Sequence, residues 1–216
     1  MSARVCVVTA GHLSTSPRML KAADALQDAG YRVRVVSTRH VGWAWLADQF
    51  VMKTRGWAWQ VVDYDRSTAR LRQLASGVRL RGAQALALVN PARVPLGIGV
   101  RGYSRIHDEL VSAIASEPCD FVYGGTTGAL AAVAAGARRL GVRFGLDLED
   151  FHSAEQTGDE SELAHALAER IESDVLPRAA FLTASSPMIA ASSIKLRVMT
   201  HLRRAKLTML PAPGSG

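Results

Sequence analysis

The chain has 216 residues, which is enough for one sizeable hydrophobic core and too few for two nucleotide-binding domains of ordinary length. Its composition, 48% hydrophobic and 21% charged, disfavours a disordered, collagen-like or repeat-built protein. The net charge of +7 favours an anionic partner.

Taken in chain order, the first element is a continuous β-branched run, Arg4–Thr9, of the kind found in a strand buried on both faces of a parallel sheet. A helix follows, with Ser16 as its N-cap, Pro17 in its first turn and Gly30 after its end. The next Val-rich run, Arg32–Ser37, completes a β-α-β unit. The chain is therefore predicted to begin with a Rossmann-like β-α-β unit.

Strands and helices continue to alternate along the chain. Further strands are predicted at Trp59–Asp63, Asp120–Gly124, Val142–Asp147 and Ala180–Ala184, and helices at Ser104–Ser116, Thr126–Leu140 and Glu160–Leu176. The fold class is therefore α/β, with an open, doubly wound parallel sheet of six strands and one domain. Any ligand is expected outside the carboxyl ends of the strands.

The region Val41–Gly102 is less regular and is predicted to form mobile loops and basic helices. Within it, Gly97–Gly102 matches the G-x-G-x-x-G nucleotide pattern. That match follows prolines rather than a strand, so we interpret it as a flexible loop.

Charge is segregated along the chain. The stretch Arg66–Arg105 holds eight arginines and no acidic residue, whereas Gly145–Val175 holds ten acidic residues and one basic residue, Arg170. The basic stretch, helped by the tryptophans Trp43, Trp45, Trp57 and Trp59, favours weak attachment to an anionic membrane surface. Solvated helix faces are the alternative for both stretches. Nucleic acid is not expected, because no binding motif for it is present.

The cysteines and the amino-terminal residues indicate the cellular compartment of the protein. Cys6 and Cys119 lie in or beside apolar runs, so we expect buried thiols rather than a disulfide or a metal pair. No apolar run is long enough to span a bilayer. Met1–Thr9 lacks a basic n-region and a cleavable stretch, so we expect no signal peptide and a cytoplasmic protein.

The loop after the first strand is a candidate phosphate site. It contains Gly11 and His12, and it opens a helix whose free amides attract anions. Arg18 in the first turn opposes the helix dipole unless an anion is near it. The alternative is a capped surface turn with a solvated arginine. The second strand ends Ser37-Thr38-Arg39 without an acid, and the loop lacks the dinucleotide glycines, so no tightly bound NAD or other cofactor is expected.

A second glycine loop, Gly124–Gly128, follows a strand and opens a helix. Gly124 and Gly125 could bring backbone amides to a ligand, or they could serve tight-turn geometry alone. The sequence leaves both interpretations open.

The segment Asp147–Glu155 is the most unusual in the chain. Glu149, Asp150 and Glu155 crowd around His152, which would stabilise a protonated imidazole and suit hydrogen bonding to sugar hydroxyls or proton exchange with an acceptor hydroxyl. A structural alternative has Asp147 or Asp150 capping a turn. The irregular spacing makes a poor metal signature, so no metal is predicted.

Two of these segments carry a family resemblance. Gly11–Arg18, continuing through Lys21–Val33, resembles the opening of the family 4-like glycosyltransferases of the GT-B fold. Asp147–Glu155 is similar to the acidic Asp-x-Glu-Asp-x-His-Ser-x-Glu segment of a subset of the same enzymes. The similarity extends from Arg4 to about Pro211.

The resemblance implies a two-domain enzyme whose amino-terminal, Rossmann-like domain holds the acceptor and whose second domain holds the donor. Residues 1–210 would be the acceptor-side domain, with residues 211–216 a short tail where a donor-binding domain is expected. The resemblance implies that Gly11 and His12 approach the donor phosphates or the reacting sugar. It also implies that His152, Glu149 and Asp150 face the interdomain cleft as catalytic residues.

The resulting function is transfer of a hexose from a nucleotide-sugar to a cell-envelope or secondary-metabolite acceptor, with a separate donor-binding domain. The expected binding residues are Gly11, His12, Arg18, Gly124, Gly125 and Glu155. The expected partners are the nucleotide-sugar, the acceptor, a donor-domain protein or a second copy of the chain, and the inner face of the membrane. A non-catalytic module that binds an acceptor or a partner is the alternative, and a nucleotide-binding epimerase or reductase is disfavoured by the missing cofactor glycines.

Overall fold

The computed structural model describes residues 2–90, 93–126, 128–148 and 162–184, and the backbone of 159–161 and 206–209. Its centre is a seven-stranded parallel sheet in the order β3-β2-β1-β4-β5-β6-β7. The strands are β1 Arg4–Thr9, β2 Arg32–Arg39, β3 Ala58–Asp63, β4 Phe121–Gly125, β5 Arg143–Leu148, β6 Phe181–Ala184 and β7 Lys206–Met209. The helices are α1 Pro17–Asp28, α2 Gly42–Met52, α3 Arg70–Leu88, α4 Leu96–Tyr103, α5 His107–Ala115, α6 Leu130–Leu140 and α7 Asp159–Val175, followed by a short 3-10 helix, Leu176–Arg178.

The doubly wound α/β fold is confirmed, and all six predicted strands are present within one to two residues of their predicted ends. The seventh strand, β7, was not predicted. It has only four residues, and its sequence alternates polar and apolar instead of forming a continuous apolar run. It pairs with β6 alone, as an edge strand does.

The prediction of a flexible loop at Gly97–Gly102 is wrong, because these residues form most of α4. Tertiary packing decides this. A Cβ atom added at Gly102 would lie 3.3 Å from Leu167 Cδ1 and 3.5 Å from the backbone carbon of Ala83. The glycines therefore let α4 fit closely between α3 and α7, and this packing holds a glycine-rich segment helical. The mobile loops expected in Val41–Gly102 are likewise replaced largely by α2, α3 and α4.

Alternate residues of β1 face two separate cores. Val5 and Val7 pack with residues of α1 and α2, whereas Cys6 and Val8 pack with residues of α5, α6 and α7. The two helix layers therefore cover opposite faces of the sheet, as a doubly wound fold requires.

Both cysteines are buried and free, which confirms the prediction of core thiols. Burial raises the pKa of the Cys6 thiol to about 12, so it stays protonated at neutral pH.

A buried arginine joins β2 to the end of α5. The Arg34 guanidinium donates hydrogen bonds of 2.9 Å to the carbonyl oxygens of Ala113 and Ile114. These carbonyls belong to the last turn of the helix, where backbone oxygens lack helical partners and a cation is favourable.

Glu172 on α7 introduces a pH dependence into folding. Its side chain is almost fully buried, and its Oε2 atom has no hydrogen-bond partner among the described residues. Burial, with a smaller contribution from Glu169, raises the pKa of the carboxyl from 4.5 to about 7. Between these values the unfolded chain has lost the proton that the folded chain retains. The free energy of unfolding should therefore fall as the pH rises from about 4.5 to 7.

We expect Glu172→Gln to abolish this decline, because an amide keeps the shape of the protonated acid. Urea unfolding across this pH range measures it, with Glu162→Gln as an exposed control on the same helix. His107 contributes the opposite slope below pH 6.5, since burial lowers its pKa to about 4. Its contribution cancels in the difference between wild type and variant. An unchanged pH profile in Glu172→Gln would contradict the prediction.

Candidate functional site

The loops after β1 and β4 meet at the carboxyl edge of the sheet. The two strands are neighbours in the sheet, although two strands, β2 and β3, and five helices, α1 to α5, separate them in sequence. The Ala10 N–H donates a 3.2 Å hydrogen bond to Thr126 Oγ1, which joins the two loops directly. This is the point where the strand order reverses, and ligands of open α/β sheets bind in the crevice that such a reversal creates.

The predicted glycines Gly124 and Gly125 end β4 beneath this crevice. A Cβ atom at Gly124 would lie 2.4 Å from Val133 Cγ2, and one at Gly125 would lie 2.8 Å from Met19 Cε. Close packing against α6 and α1 is therefore a sufficient structural reason for both glycines. The predicted contact of their backbone amides with a ligand would be a second, separate reason.

Thr126, the next residue, has a φ of +69°. This left-handed conformation is strained for a β-branched residue, at a cost of roughly 1–3 kcal/mol. Strain of this kind persists where surrounding contacts impose it, and here the bond from Ala10 does so. Such strain clusters at ligand-binding loops.

His12 is buried in the loop after β1, with both ring nitrogens engaged. Nδ1 lies 2.7 Å from Asp48 Oδ2, and Nε2 accepts hydrogen bonds of 3.1 Å from the N–H groups of His40 and Val41. These contacts fix the tautomer, because a nitrogen that accepts two N–H donors carries no proton, which places the proton on Nδ1. Asp48 also accepts the Ser14 N–H. The pair thus fastens the β1 loop to α2.

Arg18 lies in the first turn of α1, as predicted, and pairs with Asp147 on β5. Its Nε atom is 2.6 Å from Asp147 Oδ2, and its Nη2 donates to the other carboxylate oxygen. The Asp147 side chain is fully buried and that of Arg18 is 20% exposed. The anion that offsets Arg18 against the helix dipole is therefore this carboxylate. Sequence reasoning gave no indication of the pair, because 129 positions separate its members.

The Arg18–Asp147 pair continues into a buried network. The Thr183 hydroxyl donates to Asp147, and the Tyr123 hydroxyl lies 2.8 Å from Thr183 Oγ1. Burial, reinforced by the charge of Asp147, raises the pKa of Tyr123. The network joins the carboxyl ends of β4, β5 and β6 to the start of α1.

A row of side-chain rings lies along the carboxyl edge of the sheet, from the loop after β1 to the ends of β2 and β3. The centroids of His12 and His40 are 4.6 Å apart, those of His40 and Tyr64 are 4.9 Å apart, and the Arg105 guanidinium lies 5.8 Å from the Tyr64 centroid. Partial burial and the neighbouring His12 lower the pKa of His40, although much of the residue stays exposed to solvent. An exposed ring of this kind can stack against a planar or sugar ring.

A cavity of about 350 Å³ opens beside the turn that follows β4. It is lined by Gly128 together with Gln84, Tyr103 and Leu167. A larger cavity of about 400 Å³ between β3 and α5 contains none of the predicted site residues. The first cavity has the size of a small-molecule site, which is typically 300–1,000 Å³.

The structure brings Gly11, Arg18, Gly124 and Gly125 to one edge of the sheet. Glu149, Asp150, His152 and Glu155 lie outside the described residues. The chain reaches them from β5, which ends at Leu148 on that same edge.

Two further properties concern the described part of the chain. No group of three or more histidine, cysteine, aspartate or glutamate side chains there could hold a metal ion. None of the helices described combines the length and apolarity needed to cross a membrane.

No protein-family model matches the sequence, and the search of curated proteins found no match. Solved structures do match. UGT89C1 from Arabidopsis thaliana in complex with UDP-L-rhamnose is 13% identical, with a TM-score of 0.54 over 98% of this chain and 52% of that chain. UGT2 from Phytolacca americana, without ligand, is 10% identical, with a TM-score of 0.57 over 100% of this chain and 53% of that one.

These neighbours are plant glycosyltransferases of the GT-B fold, and this chain spans about half of their length. At such low identity the likeness concerns the fold alone. The chain has the Rossmann-like α/β architecture of one half of a GT-B glycosyltransferase. The more specific resemblance to family 4 stays a prediction.

Proposed function

We propose that this chain is the acceptor-side half of a glycosyltransferase that moves a hexose from a nucleotide-sugar to a cell-envelope or secondary-metabolite acceptor. The observation that carries the proposal is the junction of the β1 and β4 loops at the reversal of strand order, beside the start of α1. The likeness to a structure solved with UDP-L-rhamnose supports it. Residues 1–210 form the acceptor-side domain, and a separate domain binds the donor.

In this proposal the crevice residues bind the reacting end of the donor. Gly11 lets a phosphate or sugar approach the backbone, and the start of α1 adds favourable amide dipoles. Gly124 and Gly125, packed against α6 and α1, form the floor of the crevice. Arg18 contributes positive charge at the exposed end of its pair with Asp147. His12, whose nitrogens are engaged within the protein, acts by positioning the Gly11 loop. The cavity at Gly128 holds the acceptor.

The proton transfer in this proposal belongs to the segment after β5. His152 exchanges a proton with the acceptor hydroxyl, Glu149 and Asp150 orient its ring and stabilise its charge, and Glu155 binds a sugar hydroxyl. No tightly bound cofactor takes part, since the nucleotide-sugar is itself the donor substrate.

Release of UDP from UDP-sugars tests the proposal. The chain joined to a donor-binding domain, covalently or as a complex, is incubated with UDP-glucose or UDP-L-rhamnose and a panel of lipid and phenolic acceptors. We expect acceptor-dependent release of UDP. Absence of both nucleotide-sugar binding and transfer in the assembled protein would overturn the proposal.

One observation favours the alternative of a non-catalytic binding module. Within the described part of the crevice, the ionisable side chains are engaged with one another, His12 with Asp48 and Arg18 with Asp147. A module of this kind would bind an acceptor or a partner protein, including a second copy of the chain. It would release no UDP even when the donor domain is present.

A further inference from the structure

Helix α3 exposes its large apolar side chains to solvent. Leu71, Val78 and Val89, which follows the helix, are 84%, 74% and 87% exposed, and Leu74 and Leu86 are more than half exposed. These positions lie on one side of a helix with 3.6 residues per turn. They form a stripe, here called the α3 outer face and defined by Leu71, Leu74, Val78, Leu86 and Val89.

The orientation of α3 is fixed by its opposite, small-residue side. Ser76, Ala83 and Ala87 are buried against the protein. Arg105 Nε donates a 2.9 Å hydrogen bond to Ser76 Oγ, and Gln84 donates to the carbonyl of Gly102. Because these contacts hold the helix against α4 and its flanking loop, the outer face stays exposed.

Basic residues flank the outer face. Arg70, Arg72 and Arg81 are exposed on α3, and the sequence from Arg66 to Arg105 contains no acidic residue. A long arginine side chain can lay its methylene groups along an apolar surface and place its guanidinium among phosphates. The combination of an apolar stripe with basic flanks is complementary to the surface of an anionic bilayer.

We propose that α3 lies flat on an anionic phospholipid bilayer, with the α3 outer face inserted at the boundary between headgroups and acyl chains. The helix has 19 residues, a length of roughly 28 Å at 1.5 Å per residue, so the whole stripe can contact one bilayer surface. The proposal does not depend on sugar transfer and stands if the proposed function fails.

The tryptophans that were predicted to help this attachment do not lie beside the α3 outer face. Trp57 is buried and donates a 2.9 Å hydrogen bond to Asp24, and Trp59 donates to Ser37. Both pack in the core beneath α1 and α2, whereas α3 packs on α4, which covers the other face of the sheet. Trp43 is 68% exposed, but it lies on α2, on the opposite face of the sheet from α3. The proposed membrane contact is therefore made by the aliphatic residues of α3.

Flotation with lipid vesicles tests the proposal on the full chain. We expect binding to vesicles of phosphatidylcholine mixed with phosphatidylglycerol, little binding to phosphatidylcholine alone, and weaker binding at high salt. Leu74→Gln combined with Val78→Gln should weaken partitioning at least about tenfold, given the apolar area lost. Arg70→Gln combined with Arg81→Gln should weaken binding to the anionic vesicles and reduce its salt dependence.

Phe50→Gln is the matched control, because Phe50 is 72% exposed on α2, on the opposite face of the sheet. It should leave partitioning unchanged. Circular dichroism verifies that all variants are folded. Absence of vesicle binding, equal binding to both vesicle types, or an equal loss in Phe50→Gln would overturn the proposal. Sedimentation showing a wild-type dimer that the Leu74→Gln, Val78→Gln variant abolishes, without vesicle binding, would assign the face to self-association instead.

Discussion

Replacing Asp147 with alanine is expected to lower the free energy of unfolding by about 3 kcal/mol. The substitution leaves the Arg18 guanidinium largely buried without its carboxylate and removes the acceptor of the Thr183 hydroxyl. Breaking one partner of a buried pair typically costs 3–5 kcal/mol. We expect the lower end of this range of free energies, because Arg18 retains some exposure to water. Urea or thermal unfolding measures the loss.

A double substitution separates the contribution of the Arg18–Asp147 ion pair to stability from the contribution of side-chain packing. Arg18→Met combined with Asp147→Leu should recover much of the loss, because apolar residues of similar volume leave no charge unpaired. Asp120→Ala is the control, since Asp120 pairs with Arg4 at the other end of the sheet and both side chains are about half exposed. It should cost much less. A loss for Asp147→Ala no greater than for Asp120→Ala would show that the network contributes little to stability.

Under the proposed function, His152→Ala is expected to reduce sugar transfer by roughly 10²–10⁴-fold in the chain joined to a donor-binding domain, the range typical of a positioned proton-transfer group. In the proposed function His152 acts at the cleft, and a cleft residue contributes little to the core, so the melting temperature should change little. Turnover and thermal unfolding are measured on the same preparations.

His165→Ala is the matched control for this experiment. His165 is a partly exposed histidine on α7 that pairs with Glu169, and its removal should leave turnover unchanged. Unchanged turnover in His152→Ala would leave Glu149 and Asp150 as the candidates for proton transfer. A large drop in melting temperature would assign His152 to structure.

Local patterns in the sequence were sufficient for the architecture. Each of the first elements is predictable from neighbouring residues alone: β1 from its apolar run, α1 from its Ser16–Pro17 start and β2 from its valines. Repetition of such units leaves few topologies, because parallel strands require right-handed crossovers. The same rules placed Gly11 and Gly124 at the carboxyl edge, since parallel strands all end on one side.

The tertiary structure decided what the site residues contact. Asp48 joins His12 across 36 positions, and Asp147 joins Arg18 across 129. Neither separation leaves a periodic signal, because a contact between two side chains depends on where their backbones are placed and not on the residues between them.

The sequence by itself determined the α/β class, the order of the strands along the chain and the edge where the crevice forms, because these follow from periodicity and chain connectivity. Only the tertiary structure decided that Gly97–Gly102 is helical and that α3 turns its small residues inward. Both outcomes depend on the fit between surfaces. Close approach of α4 to Ala83 and Leu167 requires glycine, and the docking of α3 through Ser76, Ala83 and Ala87 leaves its leucines outside.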